Sequence, residues 1–194
     1  MKNLLLNTTF LAFFLVFSAF SLKNSDANNI TDEPDKEIEW LTMEEAVLRN
    51  AVDPRLIIVD VYTSWCGWCK KMDKTTFQHP DVAKYVSEKF HAVKLDAEST
   101  DAITVDDITY NYVQVGKKGV HELAYALLGN RQSYPSVAVL DKDLSKLTII
   151  QGYMDAQDMD RALRYFGDGY YEKGIKWGIF EKNFKSRIKG GKKR

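Results

Sequence analysis

Cys66 and Cys69 are the only cysteines among 194 residues, and two residues separate them. A disulfide at that spacing closes so small a ring that it removes little unfolded-state entropy, so stapling is a poor explanation for the pair. Reactivity is a better one. The attacking species in disulfide exchange is the thiolate, and a helix start stabilises negative charge through unpaired N–H groups and the helix dipole. Cys66-Gly67-Trp68-Cys69-Lys70-Lys71-Met72 follows a turn, Thr63-Ser64-Trp65, and is expected to open a helix. Cys66 is then the exposed, attacking thiol, and Cys69, one turn inward, the more buried one that resolves a mixed disulfide.

The same sulfurs are also metal ligands in principle, with His79, His91 or His121 completing a site. A C-x-x-C pair in a zinc site usually has a second ligand pair at short spacing, and none is present, so no metal is expected. A third reading is a redox-inert binding module that keeps only a fold, although loss of one cysteine would be its usual mark. Lys and Arg total 27 against 27 Asp and Glu, a balance that argues against nucleic-acid binding.

The elements that must position the cysteines follow from the patterning. Thr42 is a good helix N-cap with Glu44 and Glu45 in the first turn, and the helix should stop near Asp53-Pro54. Leu56-Ile57-Ile58-Val59-Asp60-Val61-Tyr62 suits a central strand covered on both faces. Pro80 starts another helix, and His91 to Asp96 reads as the next strand. This order favours a mostly parallel α/β sheet. Glu98 to Asp106 reads as loop, Ile108 to Tyr112 as a half-exposed strand, and Gly116 to Gly119 as a turn into a helix over Val120 to Leu128. Strands Val137 to Leu140 and Leu147 to Ile150 are close enough to be antiparallel. A helix over Ala156 to Phe166 and a helical segment from Tyr171 to Ile188 complete the chain.

At the N-terminus, Lys2, the apolar run Phe10 to Phe17 and the small residues Ser18, Ala19 and Ser21 have the order of a secretory signal peptide. Residues 1–27 are assigned to it, with cleavage after Ser21 or after Ala27; an uncleaved anchor is the alternative. Residues 28–39 read as a linker. A periplasmic or secreted location is therefore expected.

The stretch Ile58 to Lys70, followed by Val93-Lys94-Leu95-Asp96, Tyr134-Pro135-Ser136 and Gly152, resembles the thioredoxin superfamily. Within it, the extra strand and tyrosine-rich C-terminus resemble secreted bacterial thioredoxin-like proteins with a WCGWCK site. The resemblance implies an α/β thioredoxin fold: a central mixed sheet flanked by helices over 40–167, with an extra strand insertion. Residues 168–194 would add a C-terminal helical extension and basic tail. It implies a thiol–disulfide oxidoreductase needing no cofactor. Its partners would be protein thiol or disulfide substrates and a membrane or soluble redox partner, and it would act as a monomer. Asp60 would be the buried carboxylate that takes the Cys69 proton, with Lys94 beside it. Pro135 would be cis, Tyr134 would pair with substrate backbone, and Trp65, Gly67 and Trp68 would shape the binding surface. Two departures stand out. Gly67-Trp68 replaces the Gly-Pro of typical thioredoxins, and Lys74 stands where a helix-kinking proline is usual.

Overall fold

The computed structural model describes residues 37–115 and 118–188. The expected signal peptide and most of the expected linker lie outside these residues.

Helix α1 (Met43–Val52) begins where the capping residues dictate. The Glu45 N–H donates to Thr42 Oγ1 at 3.2 Å, and the Thr42 N–H to Glu45 Oε2 at 2.8 Å, which satisfies two otherwise orphaned donors. Before it, Trp40–Leu41 forms a short strand β1, which the sequence did not announce. Next come β2 (Leu56–Tyr62), α2 (Gly67–Met72), a π-helical turn over Asp73–Phe77, α3 (Pro80–Lys89) and β3 (Phe90–Asp96). Two hairpins follow, β4 (Ile103–Val105) with β5 (Ile108–Tyr110) and β6 (Tyr112–Val115) with β7 (Lys118–His121). After them come α4 (Glu122–Leu128), β8 (Ser136–Leu140), β9 (Lys146–Gln151), α5 (Ala156–Gly167) and α6 (Trp177–Asn183).

The main sheet has the order β1-β3-β2-β8-β9. β1 and β2 both run parallel to β3, whereas β2–β8 and β8–β9 are antiparallel, so the sheet is mixed rather than mostly parallel. Alternation along the buried β2 divides the core. Ile58 joins Val82, Val86, Met159 and Leu163 on one face, under α3 and α5. Ile57, Val59 and Val61 join Ala46 and Leu123 on the other, under α1 and α4. Asp60 falls on the Ile58 face and lies in register with Lys94 of β3.

Four sequence expectations are corrected. The segment read as loop between Glu98 and Asp106 contains β4, paired with β5. Asp106 and Asp107 both take positive φ there, the two-residue turn that suits a hairpin, but without the glycine that usually marks one. The single strand expected from Ile108 to Tyr112 is divided, because Tyr112 opens β6 in the second hairpin. Thus α4 starts at Glu122 rather than Val120, with His121 as its cap: Nδ1 accepts the Leu123 N–H at 3.2 Å. Of the C-terminal segment expected to be helical, only Trp177–Asn183 is helix. Gly169 and Gly174 take positive φ, where the chain folds back over α5 in successive turns.

Among the described residues no helix is long and apolar enough to cross a membrane.

Candidate active site

The chain leaves β2 at Tyr62 and turns once, with the Cys66 N–H bonded to the Thr63 carbonyl at 3.1 Å. Helix α2 then begins immediately after Cys66, which serves as its N-cap. The Cys66 sulfur accepts the Cys69 N–H at 3.0 Å, so a free donor of the helix start points at the sulfur that would carry negative charge. Cys66 and Cys69 are joined as a disulfide.

The expected contrast in exposure is absent in this oxidised form: Cys66 is 4% exposed and Cys69 2%. The hydrogen bond that folds the Cys66 sulfur back over the helix start accounts for this. What solvent meets instead is the flanking indoles, Trp65 at 64% and Trp68 at 57% exposed. Gly67 between them is also exposed, with open space where a Cβ would stand.

The two indoles are held differently. The Trp65 ring meets Tyr134 edge-on at 6.1 Å, and its N–H donates to both carboxylate oxygens of Glu98 at 3.0 Å. Tyr134 precedes Pro135 through a cis peptide bond at the entrance to β8, and the Pro135 carbonyl accepts the Gly152 N–H at 2.8 Å. Burial, then the charges of Glu98 and Asp96, push the Tyr134 hydroxyl above its usual range. The Trp68 ring packs 5.3 Å from Tyr153, and the Lys71 ammonium lies over both rings, at 4.6 and 4.8 Å. Tyr153 is fixed by a 3.0 Å hydrogen bond to Thr75.

On the Ile58 face of the sheet, Asp60 is 1% exposed. Lys94 Nζ donates to its Oδ2 at 2.7 Å and also pairs with Asp73 at the end of α2. The other Asp60 oxygen has no hydrogen-bond partner among the described residues. Burial pushes the Asp60 carboxyl up to about 6, against the opposing pull of Lys94. Burial also works to lower Lys94, but Asp60 and Asp73 outweigh it and leave the ammonium raised. Trp40 and Tyr62 wall this ammonium, with ring centres 4.8 and 5.1 Å away.

Sequence reasoning missed Asp73, Lys71, Tyr153 and Glu98. Asp73 carried a usable signal, since it lies four residues beyond Cys69 and therefore on the same helical face. Tyr153 and Glu98 reach the site only through tertiary packing. The three histidines serve local structure: His79 and His121 cap helices, and His91 Nε2 bonds the Asp53 carbonyl at 2.8 Å. Among the described residues no group of three His, Cys, Asp or Glu side chains is placed to hold a metal ion.

A helix-capping cysteine pair after a central strand, a cis-proline loop and a mixed sheet between helices define a thioredoxin-fold protein with a dithiol–disulfide site. The chain belongs to the family described as Thioredox_DsbH, a protein of unknown function (DUF255), which matches residues 20–145. It is 27% identical over 123 residues to the thiol:disulfide interchange protein DsbD of Colwellia psychrerythraea, covering 61% of this chain and 20% of that protein. It is 35% identical over 55 residues to Thioredoxin-1 of Drosophila melanogaster, covering 28% of this chain and 49% of that one. The chain thus spans about a fifth and about half of these two relatives. A thioredoxin from Thermus thermophilus shares the fold, with a TM-score of 0.53 and 15% identity over 71% of this chain and 93% of that one.

Proposed function

We propose that the chain is a thiol–disulfide oxidoreductase acting on protein disulfides outside the cytoplasm, with residues 40–167 as the working domain. The observation that carries this reading is the Cys66–Cys69 disulfide at the start of α2, with its sulfur already accepting a helix N–H. In the reducing direction the Cys66 thiolate attacks a substrate disulfide, and one substrate sulfur leaves as a thiol after taking a proton. Asp60 then takes the proton of Cys69, whose thiolate attacks the Cys66 sulfur and expels the second substrate sulfur. The balance is one protein dithiol and one substrate disulfide giving one protein disulfide and two substrate thiols. A carboxyl held at about 6 can both accept and return a proton near neutrality. Lys94 keeps that carboxyl oriented, and Trp65, Gly67, Trp68 and the Tyr134–Pro135 edge receive the substrate.

The extracytoplasmic setting is supported by the order of Lys2, apolar run and small residues within 1–27. A separate thiol donor, in a membrane or in solution, would recharge the pair. The test is insulin reduction with dithiothreitol as electron source. Acceleration over dithiothreitol alone, lost in both Cys66→Ser and Cys69→Ser, is expected; no acceleration by the unaltered protein would reject the reading.

A further inference from the structure

The surface around the cysteines is divided by charge. Glu98 holds the indole of Trp65, the residue before Cys66, through a neutral N–H donor, which leaves its negative charge in place. Asp96 stands beside it, its Oδ1 accepting the Glu98 N–H at 3.0 Å. After Cys66, the Lys71 ammonium rests on the Trp68 and Tyr153 rings, and Lys70 and Lys74 are exposed on the same helical stretch. Among the described residues, none of the ion pairs involves Asp96, Glu98, Lys70, Lys71 or Lys74. The rim anchored at Trp65 therefore keeps unneutralised negative charge and the rim anchored at Trp68 unneutralised positive charge, with Cys66 between the two tryptophans in sequence. The exposed indoles beside both rims exclude water when a partner docks, which strengthens the field of each charge over its value in bulk solvent.

We propose that this divided rim reads the charge order of the docking segment. Its partner is a protein segment whose disulfide cysteine is flanked by an acidic residue on one side and a basic residue on the other. The carboxylate is received at Lys71 and the cation at Glu98; docked the other way round, the same segment meets like charges at both places. The proposal rests on the oxidoreductase reading and names its substrate class.

Three peptides test it, each with one cysteine capped as its mixed disulfide with 2-mercaptoethanol. One has Glu before and Lys after the cysteine, one the reverse, and one Gln at both positions. Initial rates of reduction by the reduced full chain are expected to differ about fivefold between the two charged peptides at low salt, and to converge at high salt. Lys71→Gln and Glu98→Gln should each bring the ratio toward one, and Lys71→Glu combined with Glu98→Lys should reverse it. Equal rates for the two charged peptides at low salt, or an unchanged preference in the charge-swapped variant, would overturn the proposal. If the Gln peptide is consumed while the charged pair is not distinguished, only the charge-order inference fails. If none of the three is consumed, the oxidoreductase reading fails and takes the inference with it.

Discussion

Replacing Asp60 by asparagine should change how the stability of the oxidised protein depends on pH. Burial raises the Asp60 carboxyl from its ordinary 3.8 to about 6, so the folded chain holds this proton more tightly than the unfolded chain. Between those values the folded state binds more protons, and stability must fall as pH rises. Each pH unit of difference corresponds to about 1.4 kcal/mol, which puts the full loss at about 3 kcal/mol by pH 7.5. Well below pH 3.8 the carboxyl is protonated in both states and this loss is absent. The carboxamide of the variant has no such titration. Urea unfolding of the oxidised wild type and Asp60→Asn, with the disulfide intact so that no thiol titrates, should therefore show the variant gaining about 2 kcal/mol on the wild type between pH 4 and pH 7.5. A stability difference independent of pH would refute the reasoning, because it would mean that Lys94 already compensates the buried charge in spite of Asp73.

Other consequences can be tested separately. Thr42→Ala removes the reciprocal cap of α1 and should cost about 1 kcal/mol in chemical denaturation. Met159→Ala empties a fully buried position between α5 and the sheet and should cost about 2–5 kcal/mol by the same measure. Asp160→Ala removes a buried carboxylate that Arg164 and Ser186 both contact at 2.6 Å, tying α5 to the C-terminal segment. It should cost about 3 kcal/mol and increase amide exchange in residues 177–188.

Much of this site was legible because its elements announce themselves locally. The β-branched run of β2 (interrupted by Asp60), the cap residues of α1 and Pro80 at the start of α3 act through neighbours in sequence. The C-x-x-C pair likewise needs only its place after a strand and before a helix. The hairpins were not legible: their strands are short, and the Asp106–Asp107 turn lacks glycine. The C-terminal segment carried an aromatic pattern that reads as helix. In the structure its rings instead pack on α5, with Tyr165 and Phe180 5.2 Å apart, and positive-φ glycines break the backbone. At the site, the near-complete burial of Cys66 depends on where its side chain folds, which residue type and spacing do not determine. Lys71 was visible as a charge, but its seat between Trp68 and Tyr153 joins residues 82 positions apart, counting from Lys71 to Tyr153.

The division of labour between the two sulfurs is tested most directly by intact mass spectrometry of single-cysteine variants. Reduced Cys69→Ser and Cys66→Ser are each mixed with a disulfide-containing protein and quenched in acid. Cys69→Ser is expected to accumulate a one-to-one covalent adduct through Cys66, while Cys66→Ser stays unmodified. Equal adducts from both variants, or none from Cys69→Ser, would contradict the assignment of Cys66 as the attacking thiol.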